Sequence, residues 1–391
     1  MNVGFTGFAD LPLHEGHVPP WLFSRMIKLT SLIIRLMHDE YGVKGTIRLF
    51  SNPIFFQSFN NIIGMDWDSS GSTTVTTAAL KEALGSLDIG IKVVGGKGEY
   101  ALRVPDELRE LEKVFNINSE ELIKVSRLVA KVDNVALQDG HRLYHHSMIV
   151  GEDGSWAVIQ QGLNPETKYA RRYHWWMETS FINNPHEGII GVKSDYALNT
   201  VSNVSEKARS VIIDIVNQDP VKAGRDLAKV KSMIKGYGNK SILSYLSDTN
   251  YESPSYYNPR LNIIVNKGLN ISEEALRNAR GVDSFKDLLL VRGMGPSTML
   301  ALALIAQLIY EAPVDWTDPV NLDPRRFAFA LGGKDGSPYP ISKEVYDAVI
   351  DLLSRVVDNI NRDSGLKPYL RHIAKVAKKL NLPVDLVRPT Y

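Results

Sequence analysis

Residues 284–303 constrain the fold of this chain more than any other stretch. Two short apolar segments, 285–291 and 296–303, flank Gly293-Met294-Gly295. The pattern reads as two helices joined by a Gly-x-Gly bend. Such a bend turns backbone N–H groups outward at the start of the second helix. A helix N-terminus carries unpaired donors and partial positive charge, so it holds a phosphate well. Contact of this kind grips a nucleic-acid backbone without reading its sequence. Arg292, Gly293, Met294, Gly295, Ser297 and Thr298 are the candidate DNA-binding residues of the bend, and an ordinary glycine turn between packed helices is the alternative.

The remainder of the chain must supply a scaffold. Its 391 residues allow two or three domains. With 44% apolar and 23% charged residues it has the make-up of a soluble globular protein. The net charge is only +1, so affinity for nucleic acid must come from local basic patches. The absence of cysteine removes disulfides, thiolate zinc sites and cysteine nucleophiles. There is no 18-residue apolar run and no basic-then-apolar N-terminus. A cytoplasmic location without a membrane partner is therefore expected.

Periodicity predicts an α/β N-terminal part over 1–204, a mixed sheet with helices. A helical connector and linker follow over 205–259, then an all-α domain over 260–391. Helices are predicted over 21–41, 53–63, 76–87 and 105–134, and again from 205 to about 247. A short strand, 89–94, is closed by Gly95-Gly96-Lys97-Gly98. The clearest strand signal is 143–150 followed by 156–161, with the turn pair Asp153-Gly154 between them. A two-residue loop there sets His146 opposite Gln161 and Ser147 opposite Gln160. His146, Met148 and Val150 then share one face, and His145, Ser147 and Ile149 the other. Residues 249–259 read as a linker or surface strap, and the Gly/Pro-rich stretch 331–340 as an insert carrying a DNA-facing loop or a plain surface turn.

The strand pair carries polar cargo: His141, His145, His146, Gln160, Gln161, Asn164, Lys168, Arg171, Arg172 and His174. Aromatic residues are interleaved, so basic side chains could hold phosphates while rings stack bases. The bland alternative is a solvated basic turn above core aromatics. His146-Ser147-Met148, Asp153 and Gln161-Gly162-Leu163-Asn164 resemble a degraded phospholipase D-type nuclease motif. The resemblance implies phosphodiester cleavage with no metal and no cofactor. His146 would attack phosphorus, and Asn164 would neutralise phosphate oxygens. Met148 stands where that family has lysine, so Lys168, Arg171 or Arg172 would have to replace the lost charge. A single such motif implies a site completed by a second subunit, hence a homodimer. A paired strand in which His146 bonds Gln161 explains the same residues without chemistry.

A metal reading competes, since His14, His17, His141, His145, His146 and His174 could gather with Asp10 or Asp139. Spacing does not select it, and no metal is assigned.

Leu289, Val291, Gly293, Gly295 and Ala301 fall where the helix-hairpin-helix motif of DNA repair and replication proteins has apolar residues and glycines. The surrounding chain resembles base-excision glycosylases of that superfamily. Ser297 stands where strand-cleaving members have lysine, and Asp315 where the essential aspartate falls. The resemblance implies, as an alternative, a DNA glycosylase lacking lyase activity, with Asp315 stabilising the sugar cation. Asp315 would serve equally as a turn residue. Farther on, Arg371, Lys375 and Lys378 line one side of an amphipathic stretch that could lie along DNA.

Several strings, among them Thr6-Gly7-Phe8-Ala9-Asp10, Gln138-Asp139-Gly140, Tyr169-Ala170-Arg171-Arg172-Tyr173-His174-Trp175 and Gly332-Gly333-Lys334-Asp335-Gly336, together resemble one prokaryotic family common in archaea. It is catalogued as domain of unknown function seven-six-three. The resemblance spans nearly the whole chain and implies that the histidine-rich N-terminal part and the hairpin part travel together. The expectation is a DNA-processing protein: a nuclease first, a glycosylase second, a non-catalytic DNA clamp third.

Overall fold

A computed structural model describes residues 18–65, 70–236, 269–321 and 343–360. Helix α1, Pro20–Ser51, starts on a proline suited to a first helical turn and breaks at Gly42, whose φ of 66° and ψ of −172° no helix tolerates. Asn52 caps α2, Pro53–Ile62, by accepting from the amides of Ile54 and Phe55. Helix α3 is Ser70–Gly85, strand β1 Ile91–Lys97, and α4 and α5 are Glu99–Leu102 and Val104–Leu111. Asn118 caps α6, Ser119–Lys131, which runs into one π-helical turn, Val132–Ala136. Strands β2 (Leu137–Gln138), β3 (Arg142–Gly151), β4 (Trp156–Leu163), β5 (Ala170–Trp176), β6 (Gly188–Ile190) and β7 (Leu198–Asn199) follow.

Five strands form one antiparallel sheet in the order β1-β3-β4-β5-β6. Helices cover both faces. Ile91, Val93, Ile149, Ala157, Ile159 and Trp176 point toward α1, α2 and α3. Val94, Met148, Val150, Trp156, Val158, Tyr173 and Trp175 point toward α6 and the π turn. Double coverage explains why every residue of β5 is buried, Arg171 and Arg172 included, where the sequence suggests phosphate-holding side chains or a solvated basic turn.

The predicted pairing of β3 with β4 is one residue out. His146 lies opposite Gln160 and His145 opposite Gln161. Gly151 and Ser155 close the loop, their backbones joined at 2.8 Å, leaving three residues between them rather than two. Gly154 takes the third place at φ 80°, the left-handed geometry such loops require. A bulge at Tyr144 then shifts Leu143 onto Gly162. The expected face groupings hold, because they depend on strand alternation and not on register. At Gly95 (φ 84°) a β-carbon would collide with the His146 carbonyl, so glycine is what lets β1 close on β3.

The C-terminal half adds α7 (Glu206–Asn217), α8 (Pro220–Gly236), α9 (Glu273–Asn278), α10 (Phe285–Leu290), α11 (Pro296–Tyr310) and α12 (Lys343–Ile360). Helices α7 to α11 share one apolar core with the α6 face of the sheet. Helix α12 lies instead on α1, where Arg25 grips Asp347 at 2.7 Å. The borders expected at 204 and 259 therefore do not divide the packing. The proposed linker over 249–259 and the insert over 331–340 lie outside the described residues.

Candidate functional site

Three polar networks are buried in the sheet, and the bend before α11 makes a fourth, exposed feature. The first network lies under α2 and α3. Register sets Lys97, His145, Gln161 and Arg172 side by side across β1, β3, β4 and β5. Arg172 is wholly buried; it donates to Gln57 Oε1 at 2.7 Å and Thr73 Oγ1 at 3.2 Å, and lies over the Phe56 ring at 4.8 Å. Thr73 in turn donates to Gln161, whose amide donates to Tyr144 and to the Ser70 carbonyl. His145 Nε2 faces the hydroxyls of Thr77 at 3.1 Å and Ser147 at 3.0 Å. Burial, followed by the proximity of His146 and Lys97, pushes the His145 imidazole down to about 3, so it is neutral. Burial alone pulls Arg172 down to about 9, which still leaves it charged at neutral pH. Among the described residues no carboxylate pairs with it.

The second network surrounds Arg171, on the opposite face. Its guanidinium donates to Asp139 Oδ2 at 2.6 Å, to both oxygens of Asp318 at 3.0 and 2.6 Å, and to the Val192 carbonyl at 2.8 Å. Tyr173 and the His141 amide also donate to Asp139. Burial opposes the charge on Asp139, but Arg171, then His141 and Tyr173, overcome it and hold the carboxyl well below its usual range.

The third network is a chain of bonds on the same face as Arg171. Asp133, in the π turn, accepts from Trp175 Nε1 at 2.8 Å and from the Gln160 amide at 2.5 Å, and pairs with His186. Because Gln160 donates to Asp133, its Oε1 is left to accept from His146 Nδ1 at 2.8 Å. The other ring nitrogen of His146 then accepts from Ser126 Oγ at 2.9 Å. Burial lowers the His146 pKa, only partly offset by Gln160 and Asp133.

This geometry corrects the phosphodiesterase assignment. The Nε2 lone pair His146 would need as a nucleophile is taken by Ser126, and the ring is buried. Arg172 lies on the other side of the sheet. Asn164 Oδ1 accepts from the amides of Glu166 and Thr167, closing the β4–β5 turn in which Lys168 is exposed at φ 62°. His146, Asn164, Lys168 and Arg172 do not converge. Arg171 is corrected as a DNA contact for a similar reason: it is buried, and its terminal nitrogens are engaged by Asp139, Asp318 and Val192. The homodimer was inferred from that motif and loses its argument with it. Asp315 behaves as the turn residue: its carboxylate accepts from the Thr317 amide at 2.8 Å and hydroxyl at 2.6 Å, while its backbone bridges Asn199.

The bend fares differently. Ser284 caps α10, and Gly293, at φ 87°, packs against the Ala275 backbone. Met294 is the inward plug, fully buried with Leu288 and Leu289. Three bend carbonyls are held by the protein: Arg292 O by Asn278 at 3.2 Å, Met294 O by Lys131 at 2.6 Å, and Pro296 O by Gln138 at 2.9 Å. A trans peptide points its C=O and the following N–H in opposite directions. The amides of Gly293, Gly295 and Ser297 are thereby aimed away from those three side chains. The Ser297 and Thr298 hydroxyls instead brace the bend against Asn270 and Ser272. Helix α11 begins at Gly295 without a side-chain cap, beside exposed Gly293 and Pro296 and an Arg292 side chain that is 89% exposed.

Arg371, Lys375 and Lys378, with Asp10, His14 and His17, lie outside the described residues. Among the described residues no three histidine or acidic side chains are grouped to hold a metal, and no helix is long and apolar enough to cross a membrane.

Sequence reasoning found the polar strands but missed Asp133, Gln57, Thr73 and Asp318. Asp133 did leave a signal, the one charged residue in the run 132–137, where four of the six residues are apolar.

No curated protein and no solved structure matches the chain. Residues 7–341 match the family described as Protein of unknown function (DUF763), and the chain belongs to that family.

Proposed function

We propose that this DUF763 protein binds DNA through the phosphate backbone, using the bend 292–298 as its grip. The reading rests on one observation, the three bend carbonyls turned toward Asn278, Lys131 and Gln138, which aims the alternate amides the other way. The Gly293 and Gly295 amides, together with the uncapped start of a 15-residue helix, form a phosphate cradle of the kind helix N-termini provide. Arg292 adds an exposed positive charge at its rim, paired with Glu274 at 3.3 Å. Grip on the backbone predicts little preference among base sequences and a steep loss of affinity with salt. Neither nuclease nor glycosylase chemistry is part of the proposal, since His146 and Asp315 are both engaged elsewhere.

The test is fluorescence anisotropy of a labelled duplex titrated with the full chain. Two unrelated sequences should bind alike. Arg292→Glu, an exposed and fold-neutral change, should weaken both by ~5-fold or more and flatten the salt dependence by about one counterion. Duplex affinity identical in wild type and Arg292→Glu at low salt would remove the bend from the interface.

A further inference from the structure

Arg172 takes no part in the hairpin surface, yet it is the least compensated charge among the described residues. Its neighbour Arg171 shows what this fold supplies to a structural guanidinium, namely two carboxylates. Among the described residues Arg172 has only neutral partners: Gln57, Thr73 and the face of Phe56. Burying an unpaired cation costs several kcal/mol, and a core would ordinarily replace it with an apolar side chain.

The surroundings are also polar beyond what the fold needs. Asn60 stands one helical turn from Gln57 and Thr76 one turn from Thr73, so both share the faces that meet Arg172. Both amide atoms of Asn60, the Thr76 hydroxyl and His145 Nδ1 are buried without a hydrogen-bond partner among the described residues. The nearest titratable groups add no negative charge: burial holds His145 neutral, and burial with Arg172 nearby drives His174 well below its usual value. At the outer end of the same row, Lys97 is exposed and would draw an anion toward it.

We propose that this cluster is a binding site for a phosphate-class oxyanion, with Arg172 as the countercharge and Asn60, Thr76 and His145 as neutral hydrogen-bonding partners. A planar guanidinium ringed by hydroxyls and amides suits a tetrahedral dianion that accepts many bonds at once. The phosphate can be free or the end of a monoester, and the two sources share this chemistry.

The experiment uses the full chain, dialysed free of phosphate. Isothermal titration and thermal unfolding are followed with inorganic phosphate, a nucleoside 5′-monophosphate, sulfate, or chloride at matched ionic strength. Wild type should bind phosphate at one saturable site and unfold at a higher temperature in its presence. Binding by the monophosphate with equal or greater affinity would identify an ester as the ligand; binding by inorganic phosphate alone would identify the free ion. Arg172→Met should abolish the isotherm while unfolding no earlier than phosphate-free wild type. Thr76→Val removes a hydroxyl that bonds nothing among the described residues, and should weaken phosphate by ~5-fold without loss of stability; it decides the matter if Arg172→Met does not fold. Arg292→Glu should leave the isotherm unchanged, which separates this site from the hairpin. No saturable oxyanion binding by wild type, or undiminished binding in Arg172→Met or Thr76→Val, overturns the proposal.

Discussion

Arg171 and Arg172 are adjacent in sequence, both wholly buried, and separated by the thickness of one sheet. On the α6 face, Arg171 is locked by Asp139 and Asp318, which come from either side of β5 in sequence and tie residues 139, 171 and 318 together. On the α3 face, Arg172 touches amide, hydroxyl and ring but no carboxylate among the described residues. One face spends its charges on holding the fold; the other keeps a charge in reserve. A strand alternates its side chains, so a single Arg-Arg pair can serve both purposes.

The sharpest test compares the two arginines directly. Arg171→Leu strands two buried carboxylates and should cost ~3–5 kcal/mol, read from urea denaturation midpoints. Arg172→Met strands no charge, and should leave the phosphate-free protein as stable as wild type or more so. Equal losses in the two variants would break the comparison, because Arg172 would then be as structural as its neighbour.

Acid should separate the faces next. On the Arg171 face, the depressed pKa of Asp139 contributes stability that is complete above about pH 4 and lost as pH falls further. On the Arg172 face the loss starts earlier. The folded chain keeps His145 neutral down to about 3, whereas the unfolded chain protonates it near its ordinary 6.5. Below about pH 6.5 the unfolded state therefore binds a proton the folded state refuses, and stability falls by ~1.4 kcal/mol per pH unit for that proton. His146 acts in the same direction from the other face. His145→Gln should flatten the decline between about pH 6.5 and 4.5 by roughly one proton, measured from denaturation midpoints across pH. An unchanged slope would mean that His145 is not held neutral by burial.

The sequence made some of this visible and hid the rest for physical reasons. Strands β3 and β4 were legible because alternation and a turn pair survive in any context. Their register was not, since Asp153-Gly154 fits a two-residue and a three-residue loop equally well, and only tertiary pairing of Gly151 with Ser155 selects the longer one. Helix α3 starts at Ser70, ahead of the predicted 76, and its first turns were hidden because serine and threonine favour caps and turns. In the fold, buried packing overrides that preference and turns Thr73 and Thr77 toward Gln161 and His145. The basic run in β5 read as surface because nothing local announces that helices cover both faces. The hairpin was the opposite case: Gly293, at φ 87°, is a local requirement of the bend, so its shape was readable from twenty residues, whereas the side chains that orient it, Lys131 and Gln138, come from far away in sequence.

The smallest expected effects probe the faces through single hydroxyls. Ser126 Oγ donates to His146 in a chain that ends on buried Asp133. Ser126→Ala leaves the His146 nitrogen without its donor, and should cost ~1 kcal/mol, within reach of careful urea titration. Thr76 is also buried, but its hydroxyl has no partner among the described residues. Thr76→Val removes a polar atom already desolvated without return, and should be neutral or stabilising by up to ~1 kcal/mol. Opposite signs for two hydroxyl deletions of similar size would show that polar groups on the α6 face serve the fold while those on the α3 face are held open for something else. A loss at Thr76 as large as that at Ser126 would mean its hydroxyl is satisfied within the fold, and would weaken the case that the Arg172 face is kept polar for a ligand.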